Sequence, residues 1–152
     1  MARQQYAALP FRKAPTLEVM LLSSRDTRRW VLPKGWPMKG VKPHGVAAIE
    51  AMEEAGLTGK IAKKAIGSYH YVKRMRNGAA LLCKVDVFPF RFGKQRKNWL
   101  ERDQRATQWF TPEEAAELVH EPELRALILQ FSRRPSLKAG DETVVTLETA
   151  GR

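Results

Sequence analysis

Glu50, Glu53 and Glu54 stand at i, i+3 and i+4, and Gly56 follows two residues later. On a helix such positions share one face, within an arc of about 100° at about 100° per residue. Carboxylates crowded in this way repel one another unless a cation lies among them. A cluster of hard oxygen donors suits Mg²⁺ or Mn²⁺ better than a softer metal. The bland alternative is a solvated acidic helix face, which most charge runs are. The surroundings favour chemistry. A loop bearing Gly35, Trp36 and Pro37 leads towards the helix, Pro43 suits a first helical position, and Gly56 suits a left-handed C-cap. The opposite face, with Gly45, Ala48, Met52 and Ala55, is small enough to lie close on a sheet.

Basic residues and a serine flank this segment. Ser24, Arg25, Arg28 and Arg29 precede Trp30, and Lys34, Lys39 and Lys42 lie in or beside the glycine-bearing loop. Arginine grips phosphate with two parallel bonds and lysine acts as a point charge. Acids able to hold a divalent ion beside bases able to hold phosphate suit a phosphorylated ligand.

The segment from Gly35 to Leu57 resembles the Nudix hydrolase box, Gly-x5-Glu-x7-Arg-Glu-U-x-Glu-Glu-x-Gly-U, in which U is bulky and aliphatic. Gly35, Glu50, Glu53, Glu54, Gly56 and Leu57 fall on their positions without a gap, and Ala51 is a weak match to the first U. Two positions depart: Val41 stands at the first Glu and Ile49 at the Arg. In the family those two are regarded as a pair that steadies loop and helix. Losing one partner strands a charge, whereas replacing both with apolar groups is close to neutral. The double change reads as an ion pair exchanged for an apolar contact, with the acidic triad intact.

The likeness extends beyond the box. Residues 21–34 resemble the strand and loop before it in the diphosphoinositol polyphosphate and diadenosine polyphosphate phosphohydrolase branch, and residues 103–110 resemble a later strand there. The resemblance implies a single-domain α/β fold, an α/β/α sandwich on a mixed sheet. It implies a Mg²⁺-dependent pyrophosphohydrolase, with Mn²⁺ an alternative ion, acting on a small phosphorylated metabolite. Glu50, Glu53 and Glu54 would be catalytic and hold the metal, Glu50 as ligand or base, with the carbonyl of Lys34 or Gly35 completing coordination. Ser24 and Arg25 are first choices for substrate binding, joined by Arg29, Lys34, Lys39 and Lys42. A further acid from a distant loop is expected, Glu101 before Asp103, although plain surface acids are an equal reading. The rivals are a non-catalytic nucleotide- or RNA-binding module on the same scaffold, and a hydrolase of RNA 5′ ends.

The 152 residues suit one domain with a real core. A formal charge of +11, from 27 basic and 16 acidic residues, points to polyanionic partners. Phosphorylated small molecules are favoured over nucleic acid, because no added RNA-binding element is visible. No apolar run approaches the roughly 20 residues of a membrane helix. The first residues carry no apolar signal core, and Cys83 has no partner cysteine. These observations predict a cytoplasmic chain.

Strands are expected over 4–11, 16–22, 30–32, 61–75, 79–92 and 106–110, with Asn77 and Gly78 making a hairpin. Pro10 predicts an edge or strand end, and residues 93–103 a polar loop. Thr111, Pro112 and Glu114 form a capping signature for a helix burying Ala115, Leu118 and Val119. A last helix over 122–132 carries Leu124, Leu127, Ile128 and Phe131 at helical spacing. The domain is expected over 1–133, with 134–152 a disordered polar tail in which Thr143 to Leu147 could add an edge strand. Arg96, Lys97, Arg102 and Arg105 read as ordinary solvated charge. Trp30, Trp36 and Trp99 are candidates for a stacking platform, with packing the plainer reading for at least two.

Overall fold

In the computed structural model, residues 1–13, 15–25, 27–134 and 142–145 are described. Two long strands set the frame: β1 (Arg3–Lys13) and β7 (Ala80–Gln95) run parallel, with Arg3 opposite Cys83 and Phe11 opposite Arg91. Around them lie β2 (Leu17–Ser23), β3 (Trp30–Val31), β4 (Lys34–Gly35), β5 (Leu57–Ala62), β6 (Gly67–Arg74) and β8 (Thr107–Phe110). The backbone of β9 (Glu142–Val145) pairs with β5. The strand order is β3-β2-β1-β7-β5-β9, with β4 on β1, β6 on β7 and β8 on β2, and every pairing but β1–β7 is antiparallel. The sheet is therefore mixed.

Helix α1 (Pro43–Ala55) covers one face, where Ala47, Ala48, Ala51 and Ala55 pack with Ala8, Met20 and Phe90. Small side chains let the helix backbone approach the strands. Helices α2 (Pro112–Leu118) and α3 (Pro122–Ser132) cover the other face, with Leu124, Ile128 and Phe131 against Leu9, Val19 and Val87. This is the expected α/β/α sandwich. The Thr111 capping box forms in full: its hydroxyl accepts from Glu114 N–H at 3.1 Å while Glu114 Oε1 accepts from Thr111 N–H at 2.9 Å.

Several expectations need correction. The segment 61–75 is two strands, because β5 and β6 pair with successive stretches of β7 and residues 63–66 step the chain between them. β7 continues to Gln95, so the polar loop begins three residues later than expected. Pro10 lies in a central strand. Ala8 N–H is directed to the Pro33 carbonyl at 3.1 Å, so Pro10, two residues on, faces the same side. There β1 changes partner from β4 to β2, and no ladder bond is lost. Leu118 is exposed, and Ala116 is buried in its place. The Asn77–Gly78 hairpin forms, but as a wider turn closed by Met75 N–H to Ala79 O, with Gly78 at φ 85°. Of the tail, 135–141 and 146–152 lie outside the described residues, and 142–145 supply the added strand.

Candidate active site

Helix α1 ends on Gly56, whose φ of 71° lets its N–H turn back to the Ala51 and Met52 carbonyls. The last carbonyls of a helix lack intrahelical donors, and here the chain after β7 supplies them. Gln95 Nε2 donates to Ala55 O at 3.0 Å, Arg96 N–H to Gly56 O at 2.8 Å, and Glu101 N–H to Glu53 O at 3.0 Å. The Trp99 ring lies flat against Gly56, in space that a Cβ would occupy. The loop is thus fastened to the end of the acid-bearing helix, and it delivers Glu101 and Arg105 beside Glu54.

These groups line a cleft of about 240 Å³ together with Gln5, Arg25, Lys34, Gly35, Trp36, Glu50 and Tyr71. Glu54 is 5% exposed. Arg105 Nη2 lies 3.7 Å from Glu54, and Arg105 Nε lies 2.7 Å from Glu101. Arg105 Nη1 also donates to Ser23 O at 3.3 Å. Arg25 approaches Glu101 at 3.9 Å and donates to Gln104 at 3.0 Å. Lys34, at the start of β4, lies over the Tyr71 ring at 5.0 Å.

Glu50 and Glu54, one helical turn apart, hydrogen-bond to each other. Burial, that hydrogen bond and the charges of Glu54, Glu53 and Glu101 push the Glu50 carboxyl up to about 9. Burial also raises Glu54, against the pull of Arg105 and Lys34. Burial lowers Lys34 despite Glu54 beside it. A proton shared by two carboxylates fills the role a cation would take. Gly35 has a concrete reason to be glycine: a Cβ there would stand 2.5 Å from the Glu50 carboxyl. The backbone of β4 is thereby held against Glu50.

The donor set suits a hard divalent cation. Glu50 and Glu54 face the cleft, and the Gly35 backbone adjoins them. Among the described residues, no three His, Cys, Asp or Glu side chains are already grouped to hold a metal. Glu101 is drawn to Arg105, and Glu53 is outside the cleft lining. Ser24 and Arg29 line an adjoining chamber with Lys34. Lys39 and Lys42 are exposed and stand outside both linings, so the structure does not bring them to the site. Val41 lies against Gly45, one turn before the fully buried Ile49.

Arg105 is the residue that sequence reasoning placed wrongly. It is 11% exposed at the side chain and is no solvated charge. Its spacing of four from Glu101 was the available signal, since such pairs meet on a helical turn. Of the three tryptophans, Trp30 packs edge-on to Phe110 at 5.1 Å and Trp99 on Gly56. Trp36 remains at the cleft, with the Arg3 guanidinium 5.6 Å from its ring.

Comparison with solved structures finds the same architecture elsewhere. The E. coli dihydroneopterin triphosphate pyrophosphohydrolase aligns with a TM-score of 0.66 at 17% identity, over 87% of this chain and 98% of that one. A C. elegans Ap4A hydrolase binary complex aligns with a TM-score of 0.64 at 20% identity, over 86% and 96%. In sequence, Nudix hydrolase 12, mitochondrial, of Arabidopsis thaliana is 27% identical over 135 residues, 84% of this chain. The chain has the Nudix fold and is similar in sequence to proteins named Nudix hydrolases. It spans 66% of the length of that plant relative. No family model matches it. The fold places Glu50 and Glu54 at the cleft by way of the same box segment that the sequence resembles.

Among the described residues no helix is long and apolar enough to cross a membrane.

Proposed function

We propose that this protein is a Mg²⁺-dependent pyrophosphohydrolase that cleaves a diphosphate linkage in a small polyanionic metabolite of the dinucleoside polyphosphate or diphosphoinositol polyphosphate class. One observation carries the reading. Two carboxylates, the half-buried Glu50 and the buried Glu54, share a polar cleft with cations from three other elements, Lys34, Arg25 and Arg105. A binder of anions alone has no use for acids at the floor of its cleft. The similarity to proteins named as an Ap4A hydrolase and a pyrophosphohydrolase supports the same reaction class.

Glu50, Glu54 and the Gly35 carbonyl would hold the ion, with Glu53 and Glu101 close enough to contribute charge. When bound, Mg²⁺ or Mn²⁺ supplies charge neutralisation at phosphoryl oxygens and acidifies a coordinated water. The chain's own residues do the rest. Lys34 and Arg25, which line the same cleft beside the acids, bind and orient the diphosphate. Arg105 keeps Glu54 and Glu101 in place. Glu50, whose carboxyl is pushed up to about 9 in the metal-free chain, must first give up its own proton, and as a carboxylate it can then take one from water. The buried, free Cys83 fits a reducing compartment such as the cytosol.

The test incubates the protein with Mg²⁺ and a panel of diadenosine polyphosphates, nucleoside diphosphate sugars, diphosphoinositol phosphates and 5′-triphosphate RNA, with products read by mass spectrometry. Cleavage of one class that needs Mg²⁺ and disappears in Glu50→Gln is expected. Binding of polyanions without turnover of any would hand the site to the binding-module reading. Glu53→Gln, compared in parallel, reports whether the acid outside the cleft lining acts in the reaction.

A further inference from the structure

Behind Lys34 the acid cleft continues. Lys34 and Tyr71 line both the cleft and an inner chamber of about 140 Å³. Arg29, Tyr71, Arg74, His120 and Glu121 are shared by that chamber and an outer one of about 580 Å³. Three separate elements build this space: the loop before β3, strand β6, and the junction between α2 and α3. A parallel bridge between Trp30 and Val119 ties the first to the third, and Arg29 and His120, the residues before and after that pair, both line the chamber.

The loop is shaped for this. Arg28 has φ 59°, a left-handed conformation that a side chain rarely adopts and that costs about 1–2 kcal/mol. It is held by Ser24 N–H to Arg29 O at 2.6 Å and Arg28 N–H to Ser24 O at 3.1 Å. The turn brings Arg29 Nε to Thr27 Oγ1 at 3.2 Å, and Arg29 lines the chamber. Arg74, on the far wall, makes no side-chain bond among the described residues. An arginine offered without a protein partner to a concave space is open to bidentate contact with two oxygens of a phosphoryl group.

An aromatic base is the competing occupant, and the walls argue against it. Tyr71 has Lys34 on its ring at 5.0 Å and Tyr69 at 6.3 Å. Trp30 is engaged edge-on with Phe110. No open pair of aromatic faces is left to sandwich a base. The one acid here, Glu121, lies within electrostatic reach of Lys34.

We infer that the chamber lined by Arg29, Arg74 and His120 is a second anion subsite, which binds a phosphoryl group of the substrate beyond the diphosphate held at the acids. This deepens the proposed hydrolase function and rests on it only for the word substrate. It assigns the substrate class: molecules with at least one phosphoryl group outside the scissile linkage.

The experiment compares wild type, Arg74→Ala and Arg74→Lys. Calorimetric binding of inorganic tetrapolyphosphate should weaken about tenfold in Arg74→Ala, the loss of one charge-assisted phosphate contact. Inorganic pyrophosphate, short enough to stay in the acid cleft, should bind within about twofold of wild type on the same scale, and Arg74→Lys should fall between. In turnover, KM for diadenosine tetraphosphate should rise with kcat unchanged, while ADP-ribose is unaffected. Equal weakening of both anions, or of neither, overturns the subsite. If wild type turns over neither nucleotide, the hydrolase reading falls, and the two inorganic anions still decide the subsite.

Discussion

Replacing Arg105 with alanine tests how the acid cluster is held. Arg105 contributes one 2.7 Å charge-assisted bond to Glu101, one bond to Ser23 O at 3.3 Å, and a charge 3.7 Å from Glu54. The side chains of Arg105, Glu101 and Glu54 are 11%, 16% and 7% exposed, so water screens the lost interactions poorly. Removing one member of a buried ion pair costs about 3–5 kcal/mol. Lys34 remains beside Glu54, which argues for the low end, about 3 kcal/mol. In a domain of this size each kcal/mol moves Tm by about 2–4 °C. Arg105→Ala should therefore melt about 6–12 °C below wild type without Mg²⁺. Arg102→Ala, which removes an exposed contact to Asn98, should change Tm little. Because a cation can compensate the stranded acids, added Mg²⁺ should raise the Tm of Arg105→Ala more than that of wild type. Differential scanning calorimetry with and without Mg²⁺ reads both effects. A Tm within about 2 °C of wild type, or the same Mg²⁺ gain in both proteins, would refute the ion-pair argument.

Gly35→Ala forces a Cβ to 2.5 Å from the Glu50 carboxyl, so activity should fall by about 100-fold or more while circular dichroism and Tm stay near wild type; full activity would mean that β4 does not position Glu50. Gly56→Ala combines φ 71° with the Trp99 ring and should cost about 2–4 kcal/mol, measured by urea unfolding, with faster amide exchange at Glu101. The Glu50 carboxyl, raised from the ordinary 4.5 to about 9, keeps its proton in the folded, metal-free chain over a range where the unfolded chain has lost it. Metal-free stability should therefore fall as pH rises from 4.5 towards 9. Mg²⁺ must displace that proton, so its affinity should rise over the same interval; calorimetry in buffers of different ionisation heat would count the protons released.

Much of this molecule could be read from local pattern. Helix α1 has the bounds that Pro43 and Gly56 announce, and the Thr111 capping box and the Leu124–Phe131 stripe act as their spacing predicts. These signals are local, so the sequence contains them whole. The misreadings are of another kind. Whether Pro10 lies at an edge depends on which partner β1 has at that residue. The break between β5 and β6 depends on how β7 serves both. Arg105 reads as a surface charge until the loop after β7 folds onto the end of α1. Glu101 became more than a surface acid by the same folding. The acids were legible because a helix gathers them; the cations that balance them come from distant segments, and only the fold brings them together.

The docking of residues 95–105 on the end of α1 has a kinetic corollary. The amides of Arg96 and Glu101 are held by carbonyls of the helix terminus, so undocking the loop breaks these bonds and takes the donors away from the last turn. One opening event then withdraws Glu101 and Arg105 from the cleft at once and leaves Glu54 with Lys34 as its nearby cation. The fraction of molecules with a complete site at any instant equals the fraction in which this latch is shut.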